Sequence, residues 1–268
     1  MLLNFFFFHG DAVRVLGCAV SSAILAEILA KKIFGKPPVL QDGSSILLGI
    51  LFGLMCPPSL ASGMVAAGSF FGVFVGKEIF GGTGEHGFHP ALVGQIFLQA
   101  VFSGSPGMLA VFAYPEESLW AGVFGRRHWD FSRLFENNSG LLAEVALPAI
   151  LLGGLLLIGQ RILYWEIPFL YLGALWILSI VFHLDTGLLV FSGSSLLVAF
   201  FILADTATTP MTRVGVRVFA FGSACMVVLL RAGGRDAYEF PFAILMMNAL
   251  TPWIDVCLKP RSLKTAAS

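Results

Sequence analysis

The chain alternates between long apolar stretches and short punctuation by glycine, proline or charge. A helix that spans a membrane needs roughly 20 mostly apolar residues, with about 17 tolerated. On that measure the pattern predicts nine helices, near 11–31, 43–57, 60–77, 89–106, 141–160, 165–183, 190–208, 215–231 and 239–258. The second is short and stops at Pro57-Pro58. The long hydrophilic stretch lies between 104 and 140 and carries Glu116, Glu117, Arg126, Arg127, His128, Asp130, Arg133 and Glu136.

Two of the predicted helices start alike and end badly. "GSSILLGILFGLMCPP" (43–58) and "GSSLLVAFFILADTATTP" (193–210) both open on Gly-Ser-Ser. Each runs through about ten apolar residues and then breaks, one at Cys56-Pro57-Pro58 and the other at Asp205 to Pro210. Further on, "GGTGEHGFHPAL" (81–92) has a counterpart in "GGRDAYEFPFAI" (233–244), each a Gly-Gly turn followed by Phe and Pro at the mouth of a helix. The offsets are 150 for Gly-Ser-Ser, 152 for Gly-Gly and 151 for Pro90 against Pro241. A nearly constant offset across separate landmarks indicates duplication. Five spans separate the copies, an odd number, so they run through the bilayer in opposite directions as inverted-topology repeats. The expected layout is a first repeat over 1–106, an outer loop over 107–140, a second repeat over 141–258 and a tail over 259–268. The first repeat then holds four spans where the second holds five, one helix short.

Inverted repeats with interrupted helices place their site near the membrane midplane. Broken backbone is tolerated there only against protein or a water-filled cavity. Asp205, Thr206 and Thr208 at the second break are therefore the candidate ion path, and the competing reading makes the threonines helix caps. Gly81, Gly82, Gly84 and Pro90 are read as a structural turn whose glycines permit close backbone approach. His86 and His89, three residues apart in that turn, have no third ligand nearby, so no metal site is expected. No catalytic residue is assigned.

Composition sharpens the class. Charged residues make up only 12% of the chain, hydrophobic ones 57%, and mean hydropathy is +0.87. A soluble domain carries about 25% charge, so this is an all-α polytopic membrane protein. Sixteen basic residues balance sixteen acidic ones, which gives no basic surface for nucleic acid. Cys18, Cys56, Cys225 and Cys257 lie far apart in or beside apolar runs and read as small buried hydrophobes. The first residues lack the basic region and cleavage site of a secretory signal. With the C-terminus in the cytoplasm, ten Lys and Arg residues fall inside, Lys31 and Lys77 among them, against six outside, which sets the orientation.

Several stretches resemble one family. "GKEIFGGTGEHGFHPALVGQIFLQAVF" (76–102), "QDGSSILLGILFGLMCPPSL" (41–60), "LLLIGQRILYWEIPFLYLG" (155–173), "FFILADTATTPMT" (200–212) and "FAILMMNALTPWIDVCLKPR" (242–261) are similar to the D subunit of Rnf electron-transport complexes. The B subunit of the sodium-translocating NADH:quinone reductase is the related family member. The resemblance covers nearly the whole chain. It implies a ten-helix inner-membrane subunit, here without the family's first helix, in a redox-driven pump for sodium ions or protons. Ferredoxin or NADH would supply electrons, and the partners would be other membrane, iron–sulfur and flavin subunits. It also implies flavin, as FMN or riboflavin, with FMN esterified to the threonine of a Ser-Gly-Ala-Thr motif in the outer loop. The sequence departs there: no threonine occurs from Gly107 to Asn138, and Ser103-Gly104-Ser105-Pro106 is the nearest string. The expectation is a non-covalent flavin or none, with Trp120, Trp129 and Phe131 available to stack on a ring. His89 stands where the family usually has asparagine, and Thr206 where it usually has proline. The alternative is a stand-alone channel or transporter for a small polar solute.

Overall fold

A backbone surrounded by hydrocarbon must satisfy its own hydrogen bonds, so apolar stretches fold as helices. The computed structural model describes residues 10–35, 42–102, 141–234 and 239–258, and every described element in it is helical. The first half contains α1 (Asp11–Ile33), α2 (Ser44–Leu54), α3 (Ser62–Val73) and α4 (Pro90–Phe102). A π-helical turn over Phe74–Glu78 extends α3. The second half contains α5 (Leu142–Val145), α6 (Leu147–Gly159), α7 (Glu166–Val181), α8 (Thr186–Phe191) and α9 (Gly193–Leu197). After a second π turn over Val198–Ile202 come α10 (Arg213–Ala232) and α11 (Glu239–Leu258). The outer loop with Trp120, Trp129 and Phe131, the string at Ser103 to Pro106, and the tail all lie outside the described residues.

Each of the nine expected stretches holds helix, but their lengths differ from the expectation. Among the described helices only α1, α10 and α11 are long and apolar enough to cross a membrane alone. The stretch at 141–160 is two helices meeting at Ala146. The stretch at 190–208 stops at Ile202. At 1.5 Å per residue, the eleven residues of α2 and the ten from Gly193 to Ile202 each reach about 15 Å, roughly half of a ~30 Å hydrocarbon core. Proline explains the first stop, because Pro57-Pro58 can neither donate nor let the preceding residue stay helical.

The backbone exposed at that stop is repaid by Arg14 of α1. Its guanidinium donates to the carbonyls of Pro58 at 2.9 Å and Leu60 at 3.2 Å, and to the Ser62 hydroxyl at 2.8 Å. Small residues carry the helix contacts. Ala12, Ala19, Ala23, Ala26 and Ala30 form a fully buried seam on α1 at helical spacing. The seam packs on α2 and α3, and Ser22 and Ser69 tie α1 to α3 by donating to the carbonyls of Ala66 and Ala19, both at 2.6 Å.

Similar helix contacts occur in the second half. α1 packs on α3 and α3 on α4; at the expected offset, α7 packs on α10 and α10 on α11. One face differs. Leu196 and Leu197 of α9 are buried because α5 and α6 cover them, whereas Ile46 and Leu47 of α2 have no such cover among the described residues. The halves meet where α4 packs on α11 and where Leu142 N–H donates to the Cys56 carbonyl at 3.1 Å.

Candidate functional site

The break after Ile202 folds into a tight polar turn. Asp205 Oδ1 accepts from the Ala207 N–H at 3.1 Å, and the Asp205 carbonyl accepts from the N–H groups of Thr208 and Thr209, both at 3.2 Å. The Thr209 hydroxyl adds a bond to the same carbonyl at 3.0 Å, and the Thr208 hydroxyl a long one at 3.4 Å. The hydroxyls of Thr208 and Thr209 thus close the turn onto its own backbone, at the Asp205 carbonyl. Thr208 is buried, and its carbonyl accepts from the Thr251 hydroxyl of α11 at 3.0 Å. Thr206 is exposed on the outside of the turn.

The opposing wall comes from the glycine turn of the first half. Gly81, Gly82 and Gly84 have φ of 130°, 114° and 86°, conformations that side chains with a Cβ rarely adopt. This reversal returns the chain to Pro90, where α4 begins, with the His89 carbonyl accepting from Leu92 and Val93 N–H at 3.0 and 3.2 Å. It also carries His86 across the junction, placing its Nε2 3.0 Å from Asp205 Oδ2. His86 and His89 are both buried, and the Nδ1 of each has no hydrogen-bond partner among the described residues. Sequence reasoning weighed these histidines for metal and Asp205 for an ion path, and did not join them. Among the described residues no group of three or more His, Cys, Asp or Glu is placed to hold a metal ion.

A second cluster went unnoticed in the sequence. Glu27 of α1 is buried and bonded to Lys31 and to the Ser45 hydroxyl. Lys77 lies 3.5 Å from Glu27 Oε1 and 3.5 Å from Glu78 Oε1, and it donates to Ser44 Oγ at 2.7 Å. Lys77 was counted as a cytoplasmic flanking charge, yet its side chain is 1% exposed and fully engaged. The available signal was a glutamate in the middle of an apolar helix, since an ionisable residue within a membrane helix is rarely idle. At the edge of this cluster, Asp42 accepts from the hydroxyls of Ser44 at 2.9 Å and Thr83 at 2.7 Å. Partial burial pushes the Asp42 carboxyl upward, but these hydrogen bonds prevail and hold it below its usual range. The second Gly-Ser-Ser is built differently. Its Gly193 N–H donates to Glu144 Oε1 at 3.2 Å, while Glu144 Oε2 and the Ser194 and Ser195 hydroxyls have no hydrogen-bond partner among the described residues.

Chemically, the Asp205 turn offers a carboxylate facing an imidazole across the junction of two halves, and the Glu27 cluster offers a balanced set of fixed charges. Known proteins share this sequence at length. The D subunit of an ion-translocating oxidoreductase complex from Methanosarcina acetivorans is 32% identical over 267 residues, covering 98% of this chain and 87% of the relative. The D subunit of a proton-translocating ferredoxin:NAD(+) oxidoreductase complex from Clostridium ljungdahlii is 30% identical, covering 95% and 85%. A Na(+)-translocating counterpart from Acetobacterium woodii is 29% identical, covering 93% and 82%. The family match extends over residues 1–264, taking in both helix breaks and the glycine turn, and the chain belongs to the NQR2, RnfD, RnfE family.

Proposed function

We propose that this protein is the membrane subunit of an Rnf-type complex that couples electron transfer to ion translocation, with Asp205 on the ion path. The observation that carries the reading is the His86–Asp205 contact. It places a carboxylate in interrupted backbone, partly buried, and answers it from the opposite half of the molecule. Ionisable groups so placed in a membrane protein mark ion or proton pathways. The curated relatives bear names of complex subunits, which supports other subunits as partners here.

On this reading the two membrane halves, 1–106 and 141–258, supply scaffold and path, and ferredoxin or NADH supplies electrons through partner subunits carrying iron–sulfur and flavin groups. The excess of Lys and Arg on one side supports a multi-pass cytoplasmic-membrane protein with its C-terminus in the cytoplasm. Thr208 supports the Asp205 turn from within, and Thr206 lines its outer side. The covalent flavin of the family does not fit this chain, because residues 107–138 hold no threonine to form the phosphoester. No electron step is therefore assigned to a flavin on this subunit.

The test is Asp205→Asn in the assembled complex, in inverted membrane vesicles. The variant is expected to insert and assemble at the wild-type level and to lose electron-driven ion uptake. Wild-type uptake in that variant would remove Asp205 from the path.

A further inference from the structure

We propose that the ion carried at this site is the proton, passed between the His86 imidazole and the Asp205 carboxylate, and not a sodium ion. The inference rests on the ion-path reading above and adds the identity of the ion, on which the relatives' names divide between proton and sodium.

A hard alkali cation shed of its water needs several free oxygens converging on it. At the Asp205 turn the carboxylate and carbonyl oxygens are already engaged. Oδ1 accepts from Ala207 N–H, the Asp205 carbonyl accepts from Thr208 and Thr209, and the Thr208 carbonyl accepts from Thr251. The remaining carboxylate oxygen, Oδ2, faces a ring nitrogen at 3.0 Å. A cation there would have to displace an imidazole that is itself held in a buried turn.

The same geometry suits a proton. With Asp205 ionised, Oδ2 accepts from His86 Nε2–H, so the Nδ1 of the neutral ring is a bare lone pair. That Nδ1 is buried and has no hydrogen-bond partner among the described residues, and the same holds for the Nδ1 of His89 in the same turn. A histidine is the side chain that takes up and gives back a proton near neutral pH. The charged groups acting on Asp205 are His86 and His89, and those acting on His89 are Asp205 and His86. From α11 the turn meets the neutral Thr251, and Asp255 of that helix is engaged elsewhere, accepting from Met211 N–H at 3.0 Å. The step balances simply. A proton added at His86 Nδ1 gives the imidazolium; transfer of the Nε2 proton to Asp205 Oδ2 gives a neutral ring and a neutral carboxylic acid. One proton has advanced and no electrons have moved.

The wild-type complex decides the matter directly. Inverted vesicles in sodium-free potassium buffer are energised with the electron donor while a pH-sensitive dye reports the lumen, and radioactive sodium uptake is followed in a parallel sample supplied with sodium. The expected result is acidification without sodium, collapsed by a protonophore, with sodium uptake at background. Sodium uptake that a protonophore leaves intact, with electron transfer requiring sodium, overturns the inference while sparing the ion-path reading. Movement of neither ion overturns both. His86→Asn is expected to lower acidification about a hundredfold, the low end for losing a positioned proton carrier, at unchanged assembly. Acidification at the wild-type rate in that variant also overturns the inference.

Discussion

Replacing Lys77 with methionine removes one charge from a place where charge cannot be rehydrated. The Lys77 ammonium is 1% exposed, stands 3.5 Å from both Glu27 and Glu78, and donates to the hydroxyls of Ser44 and Ser45. Methionine fills much the same volume, so packing is nearly conserved and the change is chiefly electrostatic. Glu27 keeps Lys31, but Glu78 loses the cation beside it, and its Oε1 already lacks a hydrogen bond among the described residues. Removing one partner of a buried ion pair costs about 3–5 kcal/mol, whereas replacing both members by neutral groups is often close to neutral. Lys77→Met alone is therefore expected to destabilise the chain by about 3–5 kcal/mol. Lys77→Met combined with Glu78→Gln should recover about 1–3 kcal/mol of that as coupling energy. The assay is reversible unfolding of the purified protein in detergent micelles, run on wild type, both single variants and the double variant. A single-variant loss below about 1 kcal/mol, the range of exposed pairs, would refute the argument. So would a double variant whose loss equals the sum of the two singles.

Three further outcomes follow from other parts of the structure. A Cβ on Gly72 would lie 2.6 Å from the Pro90 carbonyl oxygen and 3.1 Å from the Gly94 backbone, so Gly72→Ala should cost about 1–3 kcal/mol by overpacking, read by the same unfolding assay. Arg14→Met strips the Pro58 and Leu60 carbonyls of their donor and should cost about 1–2 kcal/mol, with faster proteolysis near Pro57-Pro58. On denaturing gels the purified chain should show no flavin fluorescence and the mass of the bare polypeptide, because residues 107–138 offer no threonine; a fluorescent band carrying the mass of flavin mononucleotide would point first to Ser105.

What could be read from the sequence was whatever is written locally. Pro57-Pro58 and the run from Asp205 to Pro210 announced where helices stop, and the structure ends them at Leu54 and Ile202. The glycine turn was legible too, because the φ values at Gly81, Gly82 and Gly84 are ones that glycine adopts most freely. Helix length was less so: hydropathy does not register Ala146, where one apolar run becomes two helices. Contacts between distant positions left no pattern. Glu27 and Lys77 are fifty residues apart, and Lys77 sits at an apolar run's edge, where a flanking charge is the ordinary expectation. His86 and Asp205 are separated by 119 residues. Each drew notice for its own chemistry, but only the fold makes them one site.

The two Gly-Ser-Ser helix starts also differ in their charged surroundings. At the first Gly-Ser-Ser, Glu27, Glu78, Lys31 and Lys77 balance one another, and Ser44 and Ser45 are both bonded into the set. Such a cluster is fixed, since moving any member strands a buried charge. The second copy is bracketed by two carboxylates, with no buried cation between them among the described residues. Glu144 receives the Gly193 N–H at the start of α9. Asp205 follows the other end, in the turn after Ile202. The described residues of the second half supply local donors to Asp205 but no basic side chain, and the partner from the first half is the His86 ring nitrogen that the glycine turn carries across. Any separation of the halves at this junction would take the imidazole away from Asp205 Oδ2 and leave that carboxylate oxygen without its partner from the first half.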